Sequence, residues 1–420
     1  MTALLRDLVL ATIGGDCLAK YGTLSRRLNT IQKGGEGLKE TCARVGTAWA
    51  IGSNGRLAPY ASGVGPRVEY ATDPLTLQTQ AYLLVEGTAS TNLIENSDCE
   101  ADIVGWGGFV GTETLTRDNA QAFNGAWSCK IVTANSQFAG CFWSPRAGGR
   151  VPATAALIYT VSVWIYGTGT AVGKTFQLQL AWWNGVPALI SQSTSPNLAL
   201  LAGWNRYTFT ATAPAATVTC QPAFITTAAQ GILTFWADDP QFEAQPFATS
   251  TIPTLTGAVT RNAETVTVPW FVMQGNLWAY ARFIEAGSAV LNNGAGLCSF
   301  GVGLPFSRFD NFENPGYRWS HQEAASAVAS GIATSPAIGQ VGELLGLTFS
   351  DGSVDLRESI MGAADLDGGR SAALAFTPTY SVPLLTIGNS GWCGRISRIV
   401  VGSGTGTAIN VIQDARSVPV

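Results

Sequence analysis

Two aromatic clusters carry the plainest chemistry in this chain. In FQLQLAWW, residues 176–183, alternation sends Phe176, Leu178, Leu180 and Trp182 to one side and Gln177, Gln179, Ala181 and Trp183 to the other. A flat apolar ring beside amide groups is what stacking on a pyranose and hydrogen bonding to its hydroxyls require. Trp183 with Gln177 and Gln179 is therefore a candidate carbohydrate-binding set. IYTVSVWIYG, residues 158–167, alternates likewise: Tyr159, Val161, Val163 and Ile165 face one way, and Trp164 and Tyr166 join the candidate set on the other. An outward indole is equally well covered by a neighbouring subunit, so the same residues also read as a packing face.

Other reactive side chains are sparse. The only histidine is His321, and the eight cysteines are scattered without a C-x-x-C, which argues against a Cys/His zinc site. Cys129 and Cys141 lie in AWSCKIV and FAGCFW around the turn-like TANSQ, so a hairpin would set them opposite each other as a disulfide or as two buried thiols. Asp238 and Asp239 form an acidic pair at the end of GILTFWADDPQFEAQ.

The elements that must position these groups are strands. At 420 residues the chain exceeds one hydrophobic core, and two or three domains are expected. Hydrophobic residues at 46% exclude wholesale disorder, and a net charge of −4 with 12% charged residues gives no overall attraction to nucleic acid. No apolar run is long enough to span a bilayer, and Arg6 and Asp7 interrupt the first apolar patch, which argues against a secretory signal. Residues 1–45 carry +3 and the remainder −7. Leu4, Leu5, Leu8 and Val9 at helical spacing predict a short helix that opens a basic, irregular arm. Residues 46–95 read as an extended connecting segment, 96–250 as one sandwich-sized β unit, 251–264 as a linker and 265–420 as a second β unit. The last has a hairpin signal at SDGS, and INVIQDA reads as a short helical turn or a closing strand. The expected class is mainly β: two antiparallel β-sandwich, jelly-roll-type domains behind the arm.

Two segments resemble virion surface proteins of tailed bacteriophages, chiefly tail-fibre and head-fibre appendages. They are PRVEYATDPLTLQTQAYLLVEGTASTNLIENSD, residues 66–98, and QFEAQPFATSTIPTLTGAVTRNAE, residues 241–264, with Phe242 where that family usually has Leu. Between them, ENSDCE with Trp106, RDNAQAFNGAWSCKI, YTVSVW, WNRYTFTATAP and FWADDPQFE are similar to the jelly-roll carbohydrate-binding modules of xylanases and glucanases. That resemblance implies a structural calcium at Glu100 and Asp239, with Cys99 standing where the modules have an aromatic; the alternative is that Asp238 and Asp239 only turn a strand end. Residues 265–415 resemble, less specifically, the concanavalin-type lectin and glucanase sandwich. Retaining glucanases need two acids about 5 Å apart on one face. No such spacing occurs, and Asp351, Asp355 and Glu358 read as surface charges around a turn, so no catalytic residue is assigned.

Together the resemblances imply a non-enzymatic virion appendage, fibre or capsid decoration, assembled in the host cytoplasm and displayed on the virion surface. Its arm would bind other virion proteins and its lectin-like modules host cell-surface polysaccharide, as a homotrimer without nucleic-acid binding or membrane insertion. A glycan depolymerase that completes its site across subunits and a purely structural decoration protein are the alternatives.

Overall fold

The computed structural model describes residues 9–13, 41–62, 65–74 and 77–269, and the strands between Leu277 and Ser403. Among these residues regular structure is strand, apart from one short 3-10 turn at Gly169–Ala171. The mainly β expectation holds. Two compact units form: unit 1 holds residues 1–55, 60–88 and 262–420, and unit 2 holds 56–59 and 89–261. Unit 2 is thus an insertion in unit 1.

Unit 2 is a sandwich of two antiparallel sheets. One has the order Gly203–Thr212, Ile158–Gly167, Thr234–Glu243, Ser128–Val132, Thr114–Asp118. The other runs Leu189–Thr194, Thr175–Trp183, Thr219–Thr226, Gly140–Trp143, Trp106–Gly108, with two short strands added beside it. Period-two alternation builds the core. Tyr159, Val161, Val163 and Ile165 from one sheet meet Phe176, Leu178, Leu180 and Trp182 from the other, and Phe224, Phe235 and Phe242 fill the space between.

Unit 1 also has two large sheets. The first runs Leu366–Arg370, Val354–Ile360, Val341–Thr348, Leu277–Ser288, Trp392–Ser403, Thr79–Glu86, Arg67–Thr72. The second runs Thr41–Ala43, Thr265–Pro269, Leu384–Asn389, Ala295–Phe300, Phe306–Asn311, Tyr317–Ala324, Ala327–Ala333. They pack face to face: the Trp319 ring occupies the space a side chain at Gly346 would need, 2.2 Å from an ideal Cβ, and Trp392 donates its indole N–H to the Tyr317 hydroxyl at 2.9 Å.

Several boundaries differ from those read in the sequence. Within 46–95, Arg67–Thr72 and Thr79–Glu86 are strands of the first unit 1 sheet rather than a connection, and Tyr82, Leu83, Leu84 and Val85 are buried there. The 251–264 stretch is not a loose linker. It has too few apolar residues for an ordinary core, but Thr251, Thr254, Arg261 and Glu264 are buried and Val259–Arg261 pairs with Ser90–Asn92. In the arm, Val9–Ile13 is a strand parallel to Arg398–Gly402 instead of part of a helix, in keeping with its β-branched Val9, Thr12 and Ile13. Leu4, Leu5 and Leu8 lie outside the described residues, as do the SDGS turn beyond its flanking strands and INVIQDA.

Candidate functional site

The aromatic candidates fall on opposite outer faces of unit 2. Trp183, Gln177 and Gln179 belong to one sheet and Trp164 and Tyr166 to the other, and all point away from the core that the two sheets share. They cannot make one site. The separation follows from strand pairing, since Ile158–Gly167 joins Thr234–Glu243 whereas Thr175–Trp183 joins Thr219–Thr226.

Trp183 is not an open platform. The Arg150 guanidinium lies 3.5 Å from its ring centroid and covers one face, and the indole Nε1 is buried without a hydrogen-bond partner. Gln179 is buried, and Gln177 donates to Asn197 Oδ1 at 3.1 Å. Trp164 is covered as well. Phe123 stacks on it at 3.8 Å between centroids with the planes 15° apart, and its indole N–H is used by Thr251 Oγ1 at 3.0 Å.

Tyr166 instead belongs to a row that strand register assembles. Trp204, Tyr166, Trp236, Lys130 and Thr116 are successive cross-strand partners over five strands, on the outer face. Trp204, Tyr166 and Trp236 are each half-buried, and both contacts are edge-on: 5.5 Å from Tyr166 to Trp204 and 6.0 Å from Tyr166 to Trp236. Edge-on packing stiffens the rings while leaving part of each accessible. Lys130 Nζ stands 5.6 Å from the Trp236 centroid, and Trp236 Nε1 donates to Asp118 Oδ1 at 2.9 Å. That indole N–H is the main reason the Asp118 carboxyl sits below its ordinary range, with Lys130 assisting. The result is a row of rings ending in a cation and an anion, suited to a ligand with apolar faces and hydroxyl edges. Trp204, Trp236, Lys130 and Asp118 were not picked out from sequence. Their signal was present as alternation in GWNRYTF and TFWADD, where Trp204 and Trp236 oppose the inward Tyr207 and Phe235.

The calcium candidates lie in a cluster of acids. Asp239 has a positive φ of 44° at an irregularity in the strand pairing, which turns its carboxylate into the interior. It is 1% exposed, and neither carboxylate oxygen has a hydrogen-bond partner; Asn124 is beside it, outside bonding geometry. Burial, then the charges of Asp98 and Glu100, push its carboxyl well above the usual range. Burial and the Asp239 charge do the same to Asp238. Glu100 Oε1 accepts the N–H groups of Ala126 and Trp127 at 2.8 and 3.0 Å. Among the described residues no three His, Cys, Asp or Glu side chains form a ready-made metal set. A cation here would draw on main-chain and amide oxygens too, as calcium's shell of ~6–8 oxygens does. The one feature here that suits a hard divalent ion is the buried Asp239 carboxylate without a hydrogen-bond partner; Asp239 and Glu100 are the side chains that would hold such an ion, with main-chain or amide oxygens completing its shell.

Cys129 and Cys141 do not form the expected hairpin. Their strands lie in different sheets, because Ser128–Val132 pairs with Thr234–Glu243 and Gly140–Trp143 with Thr219–Thr226. Both are buried free thiols in the shared core, and burial pushes both up. In unit 1, Asp355 and Glu358 lie on Val354–Ile360, and Asp351 lies outside the described residues. Two buried carboxylates there are tied down, Asp73 by Tyr82 and Arg282 and Glu343 by Tyr280.

No family model matches the chain, and no curated protein matches it. Solved structures do. One is the N-terminal endo-1,4-beta-D-xylanase 10B of Clostridium thermocellum, its CBM22-1 and GH10 modules complexed with xylohexaose, at 18% identity over 36% of this chain and 28% of that one, TM-score 0.31. A second is the C-terminal family 22 carbohydrate binding module of the same enzyme, at 15% identity over 36% and 93%, TM-score 0.30. A third is the enzymatically active domain of bacteriophage CBA120 tailspike protein 4, at 11% identity over 36% and 21%, TM-score 0.28. This chain therefore spans less than a third of the xylanase and of the tailspike domain.

Proposed function

We propose that unit 2 is a glycan-binding module whose platform is the Trp204–Tyr166–Trp236 row with Lys130 and Asp118 at its end. The observation that carries this reading is the register: three half-buried rings and two polar ends fall in line on the outer face of one sheet. Rings in that position are ligand platforms or packing faces for a neighbouring subunit, and the polar groups at the end of this row favour a ligand with hydroxyl edges. The chain as a whole is read as a non-enzymatic virion appendage of a tailed bacteriophage that attaches to host-surface polysaccharide, anchors through residues 1–45 and assembles as a trimer. This part rests on the resemblance of residues 66–98 and 241–264. Calcium at Asp239 and Glu100 belongs to the same reading.

A glycan array followed by calorimetry tests the binding site. Wild type should retain a neutral oligosaccharide, and Trp236→Ala and Trp204→Ala should each weaken it by on the order of tenfold or more, the loss of one stacked ring of about 1.5 kcal/mol. Full binding by both variants would move the site elsewhere, and release of shortened sugars would replace attachment with depolymerisation. Light scattering checks the trimer, and a monomer mass counts against it. A chain lacking residues 1–45 that still joins virions at the wild-type level removes the arm from the anchoring role.

A further inference from the structure

We infer that a calcium ion at Asp239 is a positioning element for the aromatic row, acting through residues 122–127. The inference builds on the glycan reading for its consequence, but the coupling itself is carried by contacts inside unit 2. Asp238 Oδ2 accepts the N–H groups of Phe123 and Asn124 at 2.9 and 3.1 Å. Glu100 Oε1 accepts those of Ala126 and Trp127. Between them Gly125 adopts a φ of +55°, and a Cβ there would stand 2.2 Å from Glu100 Oε1, so the loop wraps closely over that carboxylate. Four backbone N–H groups in a five-residue stretch thus end on two carboxylates, and the unpartnered carboxylate of Asp239 follows Asp238 in the chain.

The other end of the loop reaches the row. Phe123 is 1% exposed, stacks on Trp164 and lies 6.0 Å from Trp204. Without a cation the Asp239 carboxylate has no hydrogen-bond partner, while the 122–127 loop hangs on the neighbouring Asp238 and Glu100. A divalent ion that ties Asp239 to Glu100 fixes these carboxylates, hence the loop, hence Phe123 against Trp164 and Trp204. The row is then stiff when calcium is bound and looser when it is not, a coupling between two sites through one shared element.

The test uses the full chain, chelator-treated and then titrated with calcium chloride alone. Calorimetry reads ion binding, hydrogen exchange reads residues 122–127, and the part of the tryptophan emission change that is lost in Trp164→Phe and Trp204→Phe reads those two rings among the 13 tryptophans. Calcium should slow exchange across 122–127 on the order of 5-fold or more, the lower end of ordinary coupling, and shift the emission. Asp239→Asn should lose both effects. Phe123→Leu should keep ion binding and loop protection but lose most of the emission shift, which separates coupling from mere folding. Calcium that binds without protecting the loop or shifting emission overturns the inference, and so does a chain that binds no calcium. If the calcium effects appear but no glycan binds, the inference stands and the glycan reading falls.

Discussion

Arg67 Nη2 lies 2.5 Å from Glu264 Oε1, joining residues that are 197 positions apart. The same nitrogen is 2.6 Å from Glu86 Oε2, and Arg44 Nη1 reaches Glu264 Oε2 at 3.0 Å. All four side chains are buried. Glu86 ends the strand before the chain leaves unit 1, and Glu264 follows its return, with Glu264 N donating to Glu86 O at 3.0 Å. Residues 66–98 and 241–264 meet here: Arg67 and Glu86 come from one and Glu264 from the other, a charged clasp where the chain leaves and rejoins unit 1.

Removing one partner of such a clasp leaves buried charge without compensation. Arg67→Met should therefore destabilise unit 1 by about 3–5 kcal/mol. Scanning calorimetry is the check. The unit 1 transition should fall while the unit 2 transition stays, and an unchanged thermogram would show that the cluster contributes nothing net.

The insertion geometry makes a second prediction. Because Glu86 and Glu264 are in hydrogen-bond contact, residues 87–263 should be replaceable by a tight turn without opening unit 1. Residues 89–261 should likewise fold alone, since Ser90–Asn92 pairs with Val259–Arg261 and Asn92 Nδ2 donates to the carbonyls of Pro240 and Ile252. Cooperative melting of each piece confirms this, and a piece that lacks a cooperative transition refutes it for that unit.

What was legible in the sequence was the local, period-two information. Alternation in 158–167 and 176–183 put the right residues in the core, because the side-chain period follows from the strand itself. Which sheet each strand joins depends on partners far along the chain, so it was not legible that Trp164 and Trp183 look in opposite directions. The same holds for the row, where Tyr166 meets Trp236 only through non-local register. Thr251, Thr254 and Glu264 looked like linker because a polar residue carries no mark of burial until its hydrogen-bond partners are known.

Adjacent tryptophans should behave differently. Trp182→Ala empties a fully buried site in the unit 2 core and should cost roughly 3–5 kcal/mol. Trp183→Ala gives up mainly the Arg150 stack, about 0.5–1 kcal/mol, and should leave glycan binding intact. Thermal melts with the glycan array decide it, and loss of sugar binding in Trp183→Ala would return that face to the binding site.

The last prediction concerns acid. Asp118 sits below its ordinary range in the folded chain, chiefly because Trp236 donates its indole N–H to the carboxylate. A folded value lower than the unfolded one means that the stabilisation is present above the unfolded value of about 3.9 and is lost as pH falls through the folded value. Below that point the protonated carboxyl is a weaker acceptor, Trp236 is released, and the Lys130 end of the row loses its anion. Emission from Trp236 should then change on acidification below the ordinary carboxylate range, ahead of global unfolding. In Asp118→Asn, whose amide oxygen accepts the same N–H without titrating, that early step should be missing while the global acid transition remains. An identical emission profile in both proteins would mean that Asp118 does not hold Trp236, and the row would lose its polar end.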